Sequence, residues 1–286
     1  MEIPSVPRRE EKNENPNRPI PPEEAEGEKI REILEREFGR RIGALKKTLA
    51  ELGIAEDAVI LAPPVLNRTD FGYVSDIDFA FLGEEEQEAR LFEKLCDDFN
   101  LYPFAVRYDQ EDLVEMKEDL PELYSFLMER KGDLRIHAAE DGIPSSDFLD
   151  EAPELEARAR TLQSPEEKSA LKERRLSIGK DFVEEVRKKI TVLGYCFSGS
   201  MMDDMDRFGS ISDLDIEMLT NYKDEKDKAR AFGWIHIYLK WKYAEEFGIK
   251  IDVGDTDLKS AKKLASQDRN LRNHFERQFG IDVMNA

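Results

Sequence analysis

The chain has 286 residues, 63 of them acidic against 43 basic, for a net charge of −20. That field repels a phosphate backbone, so long nucleic acid is a disfavoured partner. No run of about 18 apolar residues is present to cross a membrane. With 40% hydrophobic and 37% charged residues, the chain can build one large core or two of ordinary size under a heavily charged surface.

Cys96 and Cys196 stand apart from each other and from any histidine cluster. This suits neither a disulfide framework nor a zinc site, and both read as buried, reduced thiols. The N-terminus lacks the apolar stretch of a secretory signal, so the cytoplasm is the expected compartment.

Residues 1–27 are rich in proline and charge and nearly free of large apolar groups, the composition of a disordered acidic tail. From Glu28 onward, Ile30, Ile33, Leu34, Phe38, Ile42, Leu45, Leu49 and Leu52 fall at helical spacing and predict a long amphipathic helix. Strands are predicted from Ala58 (AVILAPP) and from Ser75 (SDIDFAFL), then a helix over 86–99 and a third strand from Pro103 (PFAVRYD). The order then repeats: a helix over 165–190, strands from Thr191 (TVLGYCF) and Asp213 (DLDIEML), a helix over 224–246, and a strand in GIKIDV from Gly248.

Residue identities repeat as well as elements. Phe71, Gly72, Ser75, Asp76 and Asp78 recur as Phe208, Gly209, Ser212, Asp213 and Asp215, each pair 137 positions apart. Leu134, Arg135 and His137 recur as Leu271, Arg272 and His274 at the same spacing, and Gly142-Ile143 as Gly280-Ile281 at 138. The third strands are offset further. The reading is two α/β (α+β) domains, 28–150 and 165–286, each a small mixed sheet flanked by helices and joined by a linker over 151–164.

Period-two geometry turns Asp213 and Asp215 to one face of their strand and Leu214 and Ile216 to the other. Two such carboxylates repel unless a cation or a shared proton lies between them. Asp252, between Ile251 and Val253, offers a third carboxylate on a strand that could lie alongside. Three carboxylates on neighbouring strands suit a pair of Mg²⁺ ions about 3.5–4 Å apart, the arrangement used for phosphoryl displacement. Gly199-Ser200 follows the strand ending Tyr195-Cys196-Phe197, where small residues let backbone N–H groups approach a phosphate.

The run GSMMDDMDRFGSISDLDIEM from Gly199, with the later IDV, resembles the nucleotidyltransferase superfamily of the polymerase-beta type, whose signature is GS, a spacer, DxD and a third aspartate. It looks most like the minimal, antitoxin-like members. The resemblance implies a magnesium- or manganese-dependent enzyme that moves a nucleoside monophosphate, AMP foremost, from an NTP such as ATP to a hydroxyl of a protein or small molecule. It assigns Gly199 and Ser200 to the triphosphate, Asp213, Asp215 and Asp252 to the metal, and general-base duty to Asp252. Where that family often carries an arginine after GS, this chain has Met201, Met202, Asp203 and Asp204. Arg207, or a lysine among Lys223, Lys226 and Lys228, is then the expected triphosphate partner.

In the first copy, Ala62-Pro63 falls where Gly199-Ser200 would be, and Arg107 aligns with Asp252, where it would pair with Asp76 or Asp78 and displace a metal. This predicts a degenerate, structural copy, although Asp109 on the same face leaves a metal-binding route open. His137 and His274 read as capping or core-polar groups, and His236, among Trp234, Ile237, Tyr238 and Trp241, as part of a core. Two alternatives stand beside the enzyme: a non-catalytic binding module on the same fold, and an acidic, antitoxin-like surface for a basic protein partner.

Overall fold

A computed structural model describes residues 22–63, 76–137, 163–203, 205, 208–209 and 213–286. The chain is mixed α and β, with two three-stranded mixed sheets. Among the described residues no helix is long and apolar enough to cross a membrane.

Helix α1 (Pro22–Leu52) begins six residues before the expected start. Proline is tolerated in a first turn, where its missing N–H has no partner to lose, and acidic neighbours suit that end of the helix dipole. The part of the expected tail over 22–27 is therefore helical, and 1–21 lie outside the described residues. Of the predicted apolar stripe, Phe38, Ile42, Leu45 and Leu49 are buried and Leu52 is half-buried.

Strand β1 (Val59–Leu61) pairs antiparallel with β2 (Asp76–Leu82). Helix α2 (Glu85–Phe99) then crosses over to β3 (Tyr102–Tyr108), parallel to β2, and a connecting helix of this kind is what a parallel pair requires. Helices α3 (Gln110–Asp119) and α4 (Pro121–Arg130) follow. The second half repeats this plan. Helix α5 (Pro165–Arg187) starts at a capping box between Ser164 and Glu167. Strand β4 (Thr191–Phe197) is antiparallel to β5 (Leu214–Asn221), and β5 is parallel to β6 (Ile251–Asp257). Helices α8 (Leu258–Gln267) and α9 (Arg269–Phe279) close it, after α6 (Glu225–Phe232) and α7 (Lys240–Phe247) have joined β5 to β6. The helices after each third strand were not foreseen from the sequence.

The strand register revises the spacing of the repeat. Leu61 faces Phe79 as Phe197 faces Ile216, so the first strands are 136 positions apart while the second strands keep 137. From the end of the crossover helix onward the offset is 148. Asn100 and Gly248 end their helices in the left-handed conformation, with φ of 52° and 65°. Asp109 and Asp257 cap α3 and α8 with their carboxylates. The extra residues lie mainly in the second crossover helix. The recurrence of Leu134, Arg135 and His137 as Leu271, Arg272 and His274 is therefore not structural: the first set sits in or just after a 3₁₀ turn over Asp133–Ile136, and the second lies within α9. Gly142-Ile143 lies outside the described residues.

The second crossover, expected as one plain helix, contains a π-helical stretch, Gly233–Leu239, between α6 and α7. Its side chains serve two cores. Trp234, Ile235, Leu239 and Tyr243 pack with β5, β6 and α5, while Ile237 and Trp241 pack with α1, the first sheet and α4. The expectation that this run forms core is met at Trp234, Ile237 and Trp241, while His236 and Tyr238 are only half-buried. Lys189 pairs with Glu122 at 3.0 Å and lies over Trp234, and Arg130 pairs with Glu245, so charged contacts flank the same junction. The opposite face of β5 is covered by α8 and α9 through Leu219, Leu258, Ala261, Phe275 and Phe279. Both cysteines are free, as expected, but half-buried rather than buried.

Trp241→Ala removes a buried side chain that the second half of the chain contributes to the core of the first. The expected loss is about 3–5 kcal/mol, read from a urea midpoint. A loss within the range of an ordinary surface substitution would show that the two halves do not depend on this contact.

Candidate active site

The described candidate residues of the second copy lie around the start of β5, on the face that α8 and α9 cover only farther along. Strand β4 ends at Phe197, and the Ser198 N–H donates to the Asp215 carbonyl at 3.2 Å. Gly199 then turns the chain with φ of 71°, and any β-carbon there would collide with the Asp215 carboxylate. Glycine is thus required twice, for the positive φ and for the close approach. Ser200–Asp203 make a single helical turn, with the N–H groups of Met202 and Asp203 both donating to the Gly199 carbonyl at 3.0 Å.

Asp215 stands in register with Asp252 across the parallel pair, so their side chains share one face. Two residues on, Glu217 faces Gly254, and a β-carbon at Gly254 would collide with the Glu217 carboxylate. Glu217 therefore lies across its neighbour and extends the acidic row of Asp213 and Asp215. It was not singled out from the sequence, although its position in DLDIE has the right parity. Burial pushes the Asp215 carboxyl up to about 6, helped by Asp213, Asp252 and Glu217 and opposed by Lys250. Burial, then Asp252, also raises Glu217, while His274 lowers it.

Two buried cations on α5 escaped the sequence reading, and one of them holds the start of this row. Arg175, almost wholly buried on α5, donates from Nη1 to the Asp213 carbonyl at 3.3 Å and lies over the Phe208 ring. Burial pulls its pKa down to about 10 against the opposing pull of Asp213. Lys168, one helical face along, donates to the Met205 carbonyl at 3.0 Å. A signal for both existed: Lys168, Leu171, Arg175, Ile178 and Phe182 form one stripe, with cations where apolar residues belong. From α7, buried Lys240 reaches the 60% exposed Asp252 carboxylate at 3.7 Å.

Arg207 lies outside the described residues. Lys226, one of the alternative triphosphate partners, is turned instead toward Glu115 and Asp119 of α3, at 3.6 and 4.0 Å. Hard carboxylate oxygens that repel one another are a donor set suited to Mg²⁺ or Mn²⁺. Among the described residues, however, no three acidic, histidine or cysteine side chains stand close enough to hold one ion.

The first copy keeps Asp76 and Asp78 in the places of Asp213 and Asp215, but differs around them. The Ala62 N–H donates to the Asp78 carbonyl at 2.9 Å, as Ser198 does to Asp215, so Pro63 rather than Ala62 occupies the place of Gly199. Phe104, 50% exposed, is in register with Asp78 where β6 has Asp252. The expected pairing of Arg107 with Asp76 or Asp78 is corrected by three positions of register: Arg107 stands opposite Phe81, and its partners are Asp109 at 3.2 Å and Glu88 at 3.7 Å. Asp109 is thus engaged by Arg107 and by its own helix cap.

Comparison of the chain with protein-family models, with curated proteins and with solved structures finds no match.

The raised Asp215 carboxyl has a consequence for stability. Its folded value, about 6, lies above the ordinary 3.8, so the folded state holds the proton more tightly. Stability therefore falls as pH rises through that window, and the full penalty is present above it. Asp215→Asn should melt at a higher temperature than the parent near neutral pH, and the gain should vanish below about pH 4. Equal melting curves at neutral pH would mean that Asp215 is as well solvated as a surface carboxylate.

Proposed function

We propose that the chain is a metal-dependent nucleotidyltransferase whose active site lies in the second copy, with the first copy as a degenerate relative that supports it. The observation that carries this reading is the in-register pair Asp215 and Asp252 beside the Gly199-Ser200 turn, with Asp213 preceding it on the same face. In this reading the chain is a tandem of nucleotidyltransferase-like domains over 28–150 and 165–286.

Asp213, Asp215 and Asp252 would hold Mg²⁺ or Mn²⁺, which when bound neutralises triphosphate charge and acidifies an acceptor hydroxyl. The chain's own residues supply the rest. Exposed Asp252 accepts the proton of the hydroxyl, whose oxygen bonds to the α-phosphorus as pyrophosphate leaves. The Gly199-Ser200 turn lets backbone approach the phosphates, and Ser200 adds a hydroxyl donor. Lys240 replaces the arginine missing after GS as a cation beside the carboxylates. Arg175 positions Asp213 by holding its carbonyl. ATP is the expected donor and a protein or small-molecule hydroxyl the acceptor, in the cytoplasm.

Two observations favour the rival reading, a binding module without turnover that docks a basic protein: the three carboxylates do not converge, and Lys240 already pairs with Asp252. Transfer of label from α-labelled ATP with Mg²⁺ or Mn²⁺ separates the two. Asp213→Asn should abolish transfer and Asp76→Asn should leave it within about threefold, a difference of under 1 kcal/mol in barrier. No transfer with any NTP and either metal would sink the enzyme, and equal loss from both variants would make the first copy catalytic as well.

A further inference from the structure

On the opposite face of the second sheet from the carboxylate row, a cleft of about 570 Å³ opens between α6, the π-helical stretch and β6, and neither the metal ligands nor the Gly199-Ser200 turn lines it. One wall is an aromatic pair. The rings of Phe232 and His236 stack with centroids 4.4 Å apart and planes inclined by 27°, and Phe232 is 41% exposed despite its size. An aromatic shelf left open to solvent in this way lacks apolar cover.

Opposite the shelf stands Asp255. Its carboxylate accepts hydrogen bonds from the Thr220 hydroxyl at 2.6 Å and from the Tyr222 hydroxyl, one on each oxygen. The carboxylate is fixed in orientation, and each oxygen retains capacity for a further donor. Lys228 and Glu225 stand at the mouth. Lys228 makes no ion pair among the described residues, unlike Lys226 on the same helix.

His236 cannot supply a charge to the cleft near neutral pH. Burial, reinforced by Lys240, pulls its pKa down to about 4, so its ring is neutral and acts as a flat polar surface. The ligand chemistry follows from these three walls. A planar ring would stack on Phe232, donors on its edge would reach Asp255, and an anionic substituent would find Lys228. Aliphatic ligands waste the shelf, and ligands without donors waste the fixed carboxylate.

We infer that this cleft binds a nucleobase carrying an exocyclic amine, stacked on Phe232 with its amine donating to Asp255. This rests on the transferase reading only for its second half, that the base belongs to a substrate of that reaction. Phe232, His236 and Lys240 follow one another at four-residue steps along the helix, and Lys240 ends at Asp252. Asp255 is three residues from Asp252 on β6, about 10 Å along the strand. Asp255 points to the opposite face of the sheet from Asp252, so a nucleoside seated in the cleft reaches the carboxylates only round the edge of β6, the way Lys240 does. The base could be that of the NTP or that of a nucleoside acceptor, and the same chemistry serves both.

Calorimetric titration of the full chain with adenosine, cytidine and uridine, without metal, tests the cleft directly. Adenosine and cytidine should bind saturably and uridine more weakly. Phe232→Ala, at an exposed position that should not affect folding, should weaken adenosine about tenfold or more, the range of base–aromatic stacking. Asp255→Asn should narrow the preference over uridine. Absence of saturable adenosine binding at millimolar concentration, or unchanged affinity in Phe232→Ala, overturns the inference. Competition between ATP and adenosine for one site would assign the cleft to the donor, and simultaneous binding of both would assign it to the acceptor. Adenosine binding without label transfer would sink the transferase reading alone. Label transfer with no adenosine binding would sink the cleft alone.

Discussion

Trp234 and Trp241 lie seven residues apart on one continuous helical segment, yet they belong to different hydrophobic cores. In an uninterrupted α-helix, residues so spaced fall on nearly the same side, with a drift of about 20° per seven residues. The π-helical stretch between them breaks this identity. Each wide turn takes in an additional residue and swings the following side chains round by about 100°, the rotation of one residue in a helix. One segment can then present Trp234 and Ile235 to the second sheet and Ile237 and Trp241 to the first. The two halves are joined by this divided helix, with ion pairs such as Lys189–Glu122 at its margin. Exposed ion pairs contribute little by themselves, so the aromatic contacts carry the junction.

The same segment reaches the candidate site. Lys240 begins α7 immediately after the π-helical stretch and extends to Asp252 from a buried position. Arg175 holds the other end of the row from α5. Between them the chain keeps Asp215 half-buried beside Asp213, Asp252 and Glu217, an arrangement that raises its carboxyl well above the ordinary range. Gly199 and Gly254 accept this crowding by having no side chain where the carboxylates lie. Stability is given up locally at this cluster, the physical feature on which the proposed site rests.

Much of the architecture was legible in the sequence because it follows from local periodicity. Thr191–Phe197 was read to the residue, five further strands and three long helices were placed within a few positions, and α1 starts six residues earlier than expected. The helices after β3 and β6 were not, since their apolar positions are few and their starts rest on single aspartate caps, Asp109 and Asp257. The constant spacing of the repeat held for β2 and β5 only. Past the crossover helix it matched Leu134 with Leu271 by coincidence of letters, while the true equivalents, Asn100 with Gly248 and Gly132 with Gly280, share a positive φ, and only the second pair shares its residue type.

By itself the sequence determined which residues alternate along each strand, and therefore that Asp213 and Asp215 share a face, that Gly199-Ser200 follows a strand, and that the aromatic run is core. Strand parity, turn chemistry and helical spacing are properties of near neighbours, and they can be read in order along the chain. Tertiary structure alone decided which strand residues stand opposite one another. Register places Asp252 beside Asp215 and Phe104 beside Asp78, and it moves Arg107 away from both. It also decided that Arg175 and Lys240 would be the cations around the carboxylates, because a buried charge takes whichever partner the packing of distant helices brings within reach.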